Sequence, residues 1–250
     1  AVLKRCCKDS LVFSTASAIE AYVHEHRKVY DRLVGRYLFS SSFMLEKTRE
    51  FWPGKKVSYG VLRNPFDVSQ YSPHFEGDYA LYFGRIVEEK GVDRIVTAAE
   101  SGSVPIKIVG DGPELERLKQ TAASRGIGNI EFLGPAWGDA LQQILHRARF
   151  VLVPSVWHEN FPYVILQAFA AGKPVIGSRR GGIPELVSED RGLLFEPDDA
   201  AELRACIGKL WESPALCSQM GRLAREYVER EFSDAKFYDD LISHYRAVLQ

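Results

Sequence analysis

The stretch Phe150-Val151-Leu152-Val153-Pro154-Ser155-Val156-Trp157-His158-Glu159-Asn160-Phe161-Pro162-Tyr163-Val164-Ile165-Leu166-Gln167-Ala168-Phe169-Ala170-Ala171-Gly172-Lys173-Pro174-Val175 reads as one complete βαβ unit. Phe150–Val153 is apolar at every position, the pattern of a strand buried on both faces of a parallel sheet. A short polar loop follows. A helix starts near Pro162, with Asn160 placed to cap it and Gly172 placed to end it. The free N–H groups at that helix start form an anion site. Glu159 beside such a site is electrostatically odd as a purely structural group and fits an acceptor for the hydroxyls of a bound sugar. Gln167, a turn or so into the helix, could reach a neighbouring polyol or be a polar residue on the helix edge.

The same alternation extends outward in both directions. Strands are expected at 80–83, 105–109, 130–133, 174–177 and 192–195. Helices are expected at 91–99, 114–123 and 140–148 between them. Six all-apolar strands alternating with amphipathic helices make a complete doubly wound α/β domain. Two or three helices follow, at 200–212, 214–230 and 234–249, with Pro214 opening the second and Ser233 capping the last. Residues 1–63 differ. A helix over 10–30, a short strand at 37–39, a helix at 43–51 and a strand at 57–62 resemble the tail of another doubly wound domain. The chain opens at Ala1 in what reads as the middle of that domain, so a preceding piece is expected. Residues 64–78, with Pro65, Pro73 and Gly77, are the expected linker.

Composition is compatible with this and narrows little else. The chain has 250 residues, 46% hydrophobic and 26% charged, with 32 Lys plus Arg against 33 Asp plus Glu. That balance offers no general electrostatic case for nucleic acid. No apolar run approaches the ~20 residues of a membrane-spanning helix, so membrane association is unsupported by this segment. The cysteines, Cys6, Cys7, Cys206 and Cys217, have no metal-ligand spacing and read as reduced thiols of a cytoplasmic protein.

Three further loops follow strands, at the edge where open α/β sheets bind ligands. In Gly84-Arg85-Ile86-Val87-Glu88-Glu89-Lys90-Gly91, Arg85 and Lys90 could converge on a diphosphate, or be two solvated surface charges. Gly110-Asp111-Gly112-Pro113 has two glycines of a dinucleotide fingerprint, but Leu115 holds the third glycine position. It reads as a tight turn with Pro113 at the first helical position, and an NAD-dependent dehydrogenase is disfavoured. Gly181-Gly182-Ile183-Pro184-Glu185 permits close approach by a ligand, or is simply a turn with positive φ.

Six segments together resemble the retaining glycosyltransferases of family four. They are Phe83-Gly84-Arg85 through Lys90-Gly91, Val109 to Glu114, Phe132-Leu133-Gly134, Pro154-Ser155 through Glu159, Ala171 to Val175, and Gly181 to Glu185, in that order. The resemblance covers roughly residues 79–234. Ser40-Ser41-Ser42-Phe43 and Asn64-Pro65-Phe66-Asp67 resemble the end of that family's first domain and its crossover. It implies the GT-B fold: a complete six-stranded Rossmann-like C-terminal domain at 79–233, a partial N-terminal Rossmann-like domain at 1–63 on the acceptor side, and a C-terminal helix at 234–250 that packs back on the N-terminal domain.

The resemblance also implies roles. The substrate would be a nucleotide-diphosphate sugar and the acceptor a glycan or lipid-linked group, with retention of configuration. No metal or other cofactor is expected, and the chain contains no Asp-x-Asp. Arg85 and Lys90 would hold the diphosphate, beside Gly84 and the amides near Asn160, Phe161, Pro162 and Tyr163. Glu159 would bind the transferred sugar. Pro135, Ala136 and Trp137 would lie along the nucleobase. The family's ribose-binding Glu falls on Gln167, which keeps an acceptor, adds donors and loses the charge. His24 and His26 sit in a charged helical stretch and are not assigned a role. A sugar-nucleotide epimerase of the same fold, or an inactive nucleotide-sugar binding module, are the alternatives.

Overall fold

The structure, a computed structural model, describes residue 3 and residues 6–54, 57–100 and 102–249. The expected segments 1–63 and 234–250 therefore include a few positions outside the described residues (1, 2, 4, 5, 55, 56 and 250).

The front of the chain folds as α1 (Leu11–His26), α2 (Val29–Leu33), β1 (Arg36–Phe39), α3 (Ser42–Phe51) and β2 (Ser58–Val61). The single helix expected over 10–30 is two. Lys28 takes a left-handed conformation, φ 50°, between them, closing α1 as a glycine usually would. Nothing in the residue type of Lys28 announces that break. β1 and β2 pair in parallel, from Arg36 opposite Ser58 to Phe39 opposite Val61.

The rest is a second sheet wrapped in helices: β3 (Tyr79–Phe83), α4 (Val92–Ala99), β4 (Ile106–Val109), α5 (Leu115–Ser124), β5 (Ile130–Gly134), α6 (Gly138–Arg147), β6 (Ala148–Val153), α7 (Tyr163–Ala170), β7 (Val175–Ser178), α8 (Ile183–Leu186), β8 (Gly192–Phe195), α9 (Ala200–Glu212), α10 (Pro214–Glu231) and α11 (Asp234–Leu249). Six parallel strands lie in the order β5-β4-β3-β6-β7-β8. Alternate side chains enter separate cores on the two faces. Leu81, Phe83, Val151 and Val153 go to one, and Ala80, Tyr82, Phe150 and Leu152 to the other. Burial on both faces is why these strands read as unbroken apolar runs.

One boundary differs for a tertiary reason. α5 starts at Leu115 with Glu114 as its cap residue, so Pro113 precedes the helix rather than opening it. The Glu114 N–H donates to the Ile86 carbonyl at 3.2 Å, which ties this turn to the loop after β3. Residues 64–78 are pinned along their length. Phe66 N–H donates to Phe232 O (2.8 Å) and His74 N–H to Ala171 O (3.0 Å), while Phe75 O accepts from the Ser218 hydroxyl (2.8 Å). α11 returns to the front sheet, where His244 Nε2 donates to the Val61 carbonyl at 2.9 Å.

The strand order reverses between β3 and β6. The crevice at the carboxyl ends of these two strands is where an open α/β sheet takes its ligand.

Candidate functional site

Two loops meet across that crevice. The loop after β3 ends at Gly91, in the left-handed region with φ 66°, where an added Cβ would stand 2.1 Å from the Pro154 carbonyl oxygen. Only glycine tolerates both conditions. The Val156 and Trp157 N–H groups of the loop after β6 then both donate to Glu89 O, at 3.0 and 3.2 Å. This stitching brings the Lys90 ammonium to 2.5 Å from Glu159 Oε1. The same carboxylate oxygen accepts from the buried Ser155 hydroxyl at 2.8 Å.

The other side of Glu159 rests on the turn after β7. A Cβ on Gly181 would lie 2.2 Å from Glu159 O, and one on Gly182 would lie 2.2 Å from Asn160 O. The Gly182 N–H donates to Glu159 O at 2.6 Å. The two glycines therefore admit the chain's own backbone, and Gly181 also supplies a positive φ of 56°. Gly110 and Gly112 act alike, packing against the carbonyls of Gly84 and Ile86. These close loop contacts explain two glycines without a dinucleotide fingerprint.

Beside this junction lies a cavity of about 430 Å3. Of the expected residues, Gly84, Arg85, Pro135, Ala136, Trp137 and Gln167 line it. Arg85 is exposed and forms no ion pair among the described residues. Its carbonyl accepts from the Tyr82 hydroxyl at 2.6 Å, which fixes the loop, and burial pushes the Tyr82 phenol well up, with the charge of Glu159 adding to the shift. Trp137 presents an exposed indole. Gln167 donates from Nε2 to the Tyr71 hydroxyl at 3.0 Å. Val109, Gly110, Asp111, Leu141 and Val164 also line the cavity and were not singled out as site residues. The motif around Gly110 had already placed three of them at a strand's carboxyl end.

Lys90, Glu159, Asn160, Phe161, Pro162 and Tyr163 lie outside the lining of that cavity. Asn160 is not the cap of α7. Pro162 holds that position, and no side chain caps the first turn. Asn160 turns instead to the front segment, accepting from Ser41 Oγ at 2.6 Å and donating to Ser40 Oγ at 3.0 Å. Local spacing favoured the cap, and two hydroxyls 119 and 120 positions away outcompete it. Phe161 packs edge-on to Tyr163, ring centroids 5.8 Å apart, and the Tyr163 hydroxyl accepts from Asn64 Nδ2 at 3.0 Å.

The front segment makes a second contact that sequence reading missed. Glu185 accepts from the N–H groups of Ser42 (3.0 Å) and Phe43 (2.6 Å) at the start of α3, and the Phe43 ring stacks on His158 at 5.5 Å. A carboxylate at a helix start is favourable. Its partner is 142–143 positions away, so no local signal reveals it.

Comparison with known proteins bears on this geometry. The family model described as "Glycosyl transferases group 1" matches residues 69–227. Glycogen synthase of Mycobacterium tuberculosis is 30% identical over 205 residues, which cover 77% of this chain and 49% of that protein. Among solved structures, sucrose-phosphate synthase from Thermosynechococcus elongatus superposes with a TM-score of 0.75 at 24% identity, covering 86% of this chain and 58% of that one. The Anabaena protein HepE, solved in complex with UDP, superposes with a TM-score of 0.76 at 21% identity, covering 88% and 66%. These two likenesses bear on the fold, which is the α/β arrangement of the GT-B glycosyltransferases. The chain spans about half the length of the curated relatives it matches. No helix among the described residues is long and apolar enough to cross a membrane.

Proposed function

The chain belongs to the group 1 glycosyl transferases, and from that premise we propose that it carries the donor half of a retaining, metal-independent glycosyltransferase acting on a nucleotide-diphosphate sugar. The observation that carries this reading is the junction of Lys90 and Glu159 beside a cavity lined by Arg85, Trp137 and Gln167. Cations, a carboxylate and an aromatic face are the three chemistries a diphosphate, a sugar and a base require.

Each residue has a part. Trp137, with Pro135 and Ala136, lies along the base, and Gln167 meets the ribose. Arg85 beside Gly84, Lys90, and the uncapped N–H of Tyr163, which follows Pro162 at the start of α7, hold the diphosphate. Asn160 and Phe161 shape the loop that leads there. Glu159 accepts hydroxyls of the sugar. As the bond from the sugar to the diphosphate breaks, negative charge grows on the leaving oxygens, where the fixed cations and amide stabilise it most. The acceptor hydroxyl forms the new bond on the same face and gives its proton to the departing diphosphate oxygen. That HepE holds UDP supports a nucleoside diphosphate here.

We place the acceptor, a glycan or lipid-linked group, against a first Rossmann-like domain of which residues 1–63 form the tail. Residues 64–78 join it to the donor domain at 79–233, and residues 234–250 pack back on it. The parallel pairing of β1 with β2 supports this. The four free thiols support a reducing compartment, the cytoplasm.

Thermal shifts with UDP, GDP and ADP test the donor site, since a ligand at ~100 times its dissociation constant adds roughly 2.7 kcal/mol to folding stability. Incubation of the full-length protein with nucleotide sugars, with and without acceptor, tests the reaction. Sugar appearing on the acceptor with its anomeric configuration kept is the expected outcome. Epimer formed without acceptor would replace the transferase reading with the epimerase.

A further inference from the structure

The cavity beside Arg85 offers a ligand many apolar contacts and few acceptors. Among its lining side chains, Arg85 and Trp137 are donors only. Asp111 can accept, but its Oδ1 is occupied by the Gly112 N–H at 2.7 Å. Gln167 supplies the other side-chain acceptor. An amide has two unlike ends, so what it shows a ligand depends on what holds it. Here Nε2 donates to the Tyr71 hydroxyl at 3.0 Å, which leaves the carbonyl oxygen as the acceptor for a ligand.

Tyr71 is itself firmly held. Its ring stacks on Phe66 with centroids 5.7 Å apart, its N–H donates to Val68 O at 3.1 Å, and its carbonyl accepts from Arg225 Nη1 at 2.9 Å. It belongs to the stretch between the two sheets, 96 positions from Gln167. The phenol is thus a fixed post beside the cavity, and it reaches a ligand only through Gln167.

We infer that Tyr71 is a positioning residue for the nucleoside end of the donor: by holding the Gln167 amide in one orientation, it presets an acceptor for a ribose hydroxyl. This rests on the donor-site reading above. Without the phenol, binding must itself order a free amide. That ordering weakens the ribose contact by about two- to tenfold, and nothing else in the site changes.

Calorimetry on the parent first finds which of UDP, GDP and ADP binds most tightly, then compares that nucleotide with its 2′,3′-dideoxy diphosphate. The parent is expected to prefer the ribose form. Tyr71→Phe, which keeps the ring stack, is expected to bind the ribose form about two- to tenfold more weakly and the dideoxy form as the parent does. Gln167→Leu should erase the preference, and adding Tyr71→Phe to it should cost nothing more. Equal ribose affinity in parent and Tyr71→Phe overturns the inference. So does an equal loss for both nucleotides, the mark of a merely structural role, and so does a ribose preference that survives Gln167→Leu. If the parent binds none of the three diphosphates, the donor-site reading itself falls.

Discussion

Lys90 Nζ stands 2.5 Å from Glu159 Oε1, joining the loop after β3 to the loop after β6 across the point where the strand order reverses. Both side chains are partly buried, 28% and 17% exposed, and the second partner of the carboxylate oxygen is the Ser155 hydroxyl. The contact sets the spacing of the two loops and keeps a cation at the carboxyl edge of the sheet.

Lys90→Met leaves that carboxylate short of a partner and should destabilise the fold by roughly 1–3 kcal/mol. Combining it with Glu159→Gln should recover part of the loss. Urea denaturation of the two single variants and the double variant measures the coupling. Simple additivity to within about 0.5 kcal/mol would show that the two groups do not interact in solution.

Arg85 makes the opposite prediction. It is exposed and unpaired among the described residues, so Arg85→Ala should leave the unliganded stability unchanged. It should weaken a bound nucleoside diphosphate by about 1.5–3 kcal/mol, the range for charge-assisted hydrogen bonds. Calorimetry of parent and variant with the best-binding diphosphate checks this, and equal affinity would remove Arg85 from the site.

Glu185 holds the start of α3 through two backbone N–H groups, with the Arg63 guanidinium 3.7 Å away. Glu185→Ala should cost about 0.5–2 kcal/mol, as loss of a helix cap does. Hydrogen exchange should quicken first at Ser42 and Phe43. Unchanged protection there would mean the front segment holds its place without this contact.

Lys173 is fully buried, its ammonium donating to Glu76 O at 2.9 Å and His146 O at 2.8 Å. Burial lowers its pKa from 10.5 to about 8. Below pH 8 the folded and unfolded chains both carry this proton, and its contribution is flat. Between about 8 and 10.5 the unfolded chain binds more protons, so rising pH favours the fold. The parent should therefore gain stability relative to Lys173→Met between pH 8 and pH 10. A difference in melting temperature that stays constant across that window would contradict the assignment.

Cys217 is buried, and burial pushes its thiol up to about 12. Cys6 is exposed. Because the thiolate is the nucleophile, iodoacetamide at pH 8 should alkylate Cys6 and spare Cys217 in the native protein. Mass spectrometry of time points reads the order directly. Early labelling of Cys217 would mean that α10 opens readily.

The repeating part of the architecture was legible because the parallel sheet is buried on both faces. Val151 and Leu152 enter different cores, yet both must be apolar, and the run between helices announces a strand wherever it occurs. The candidate site was legible to the extent that ligand loops follow strands. Arg85, Trp137 and Gln167 stand after three different strands and line one cavity. Local chemistry misled at Asn160, a good cap residue by type and position, and at Lys28, a left-handed residue with no mark of it.

The sequence by itself determined the strand–helix alternation, the turns at strand ends and the residue types brought to them, because these follow from burial and short-range backbone preference. Only the tertiary structure decided which loops touch. Gly91 meets Pro154, Gly182 meets Asn160, Glu185 meets Ser42 and Gln167 meets Tyr71, across 63, 22, 143 and 96 positions of the chain. A hydrogen bond or a glycine contact at such separations depends on how the sheets stack and twist. It leaves no periodicity in the sequence to be read.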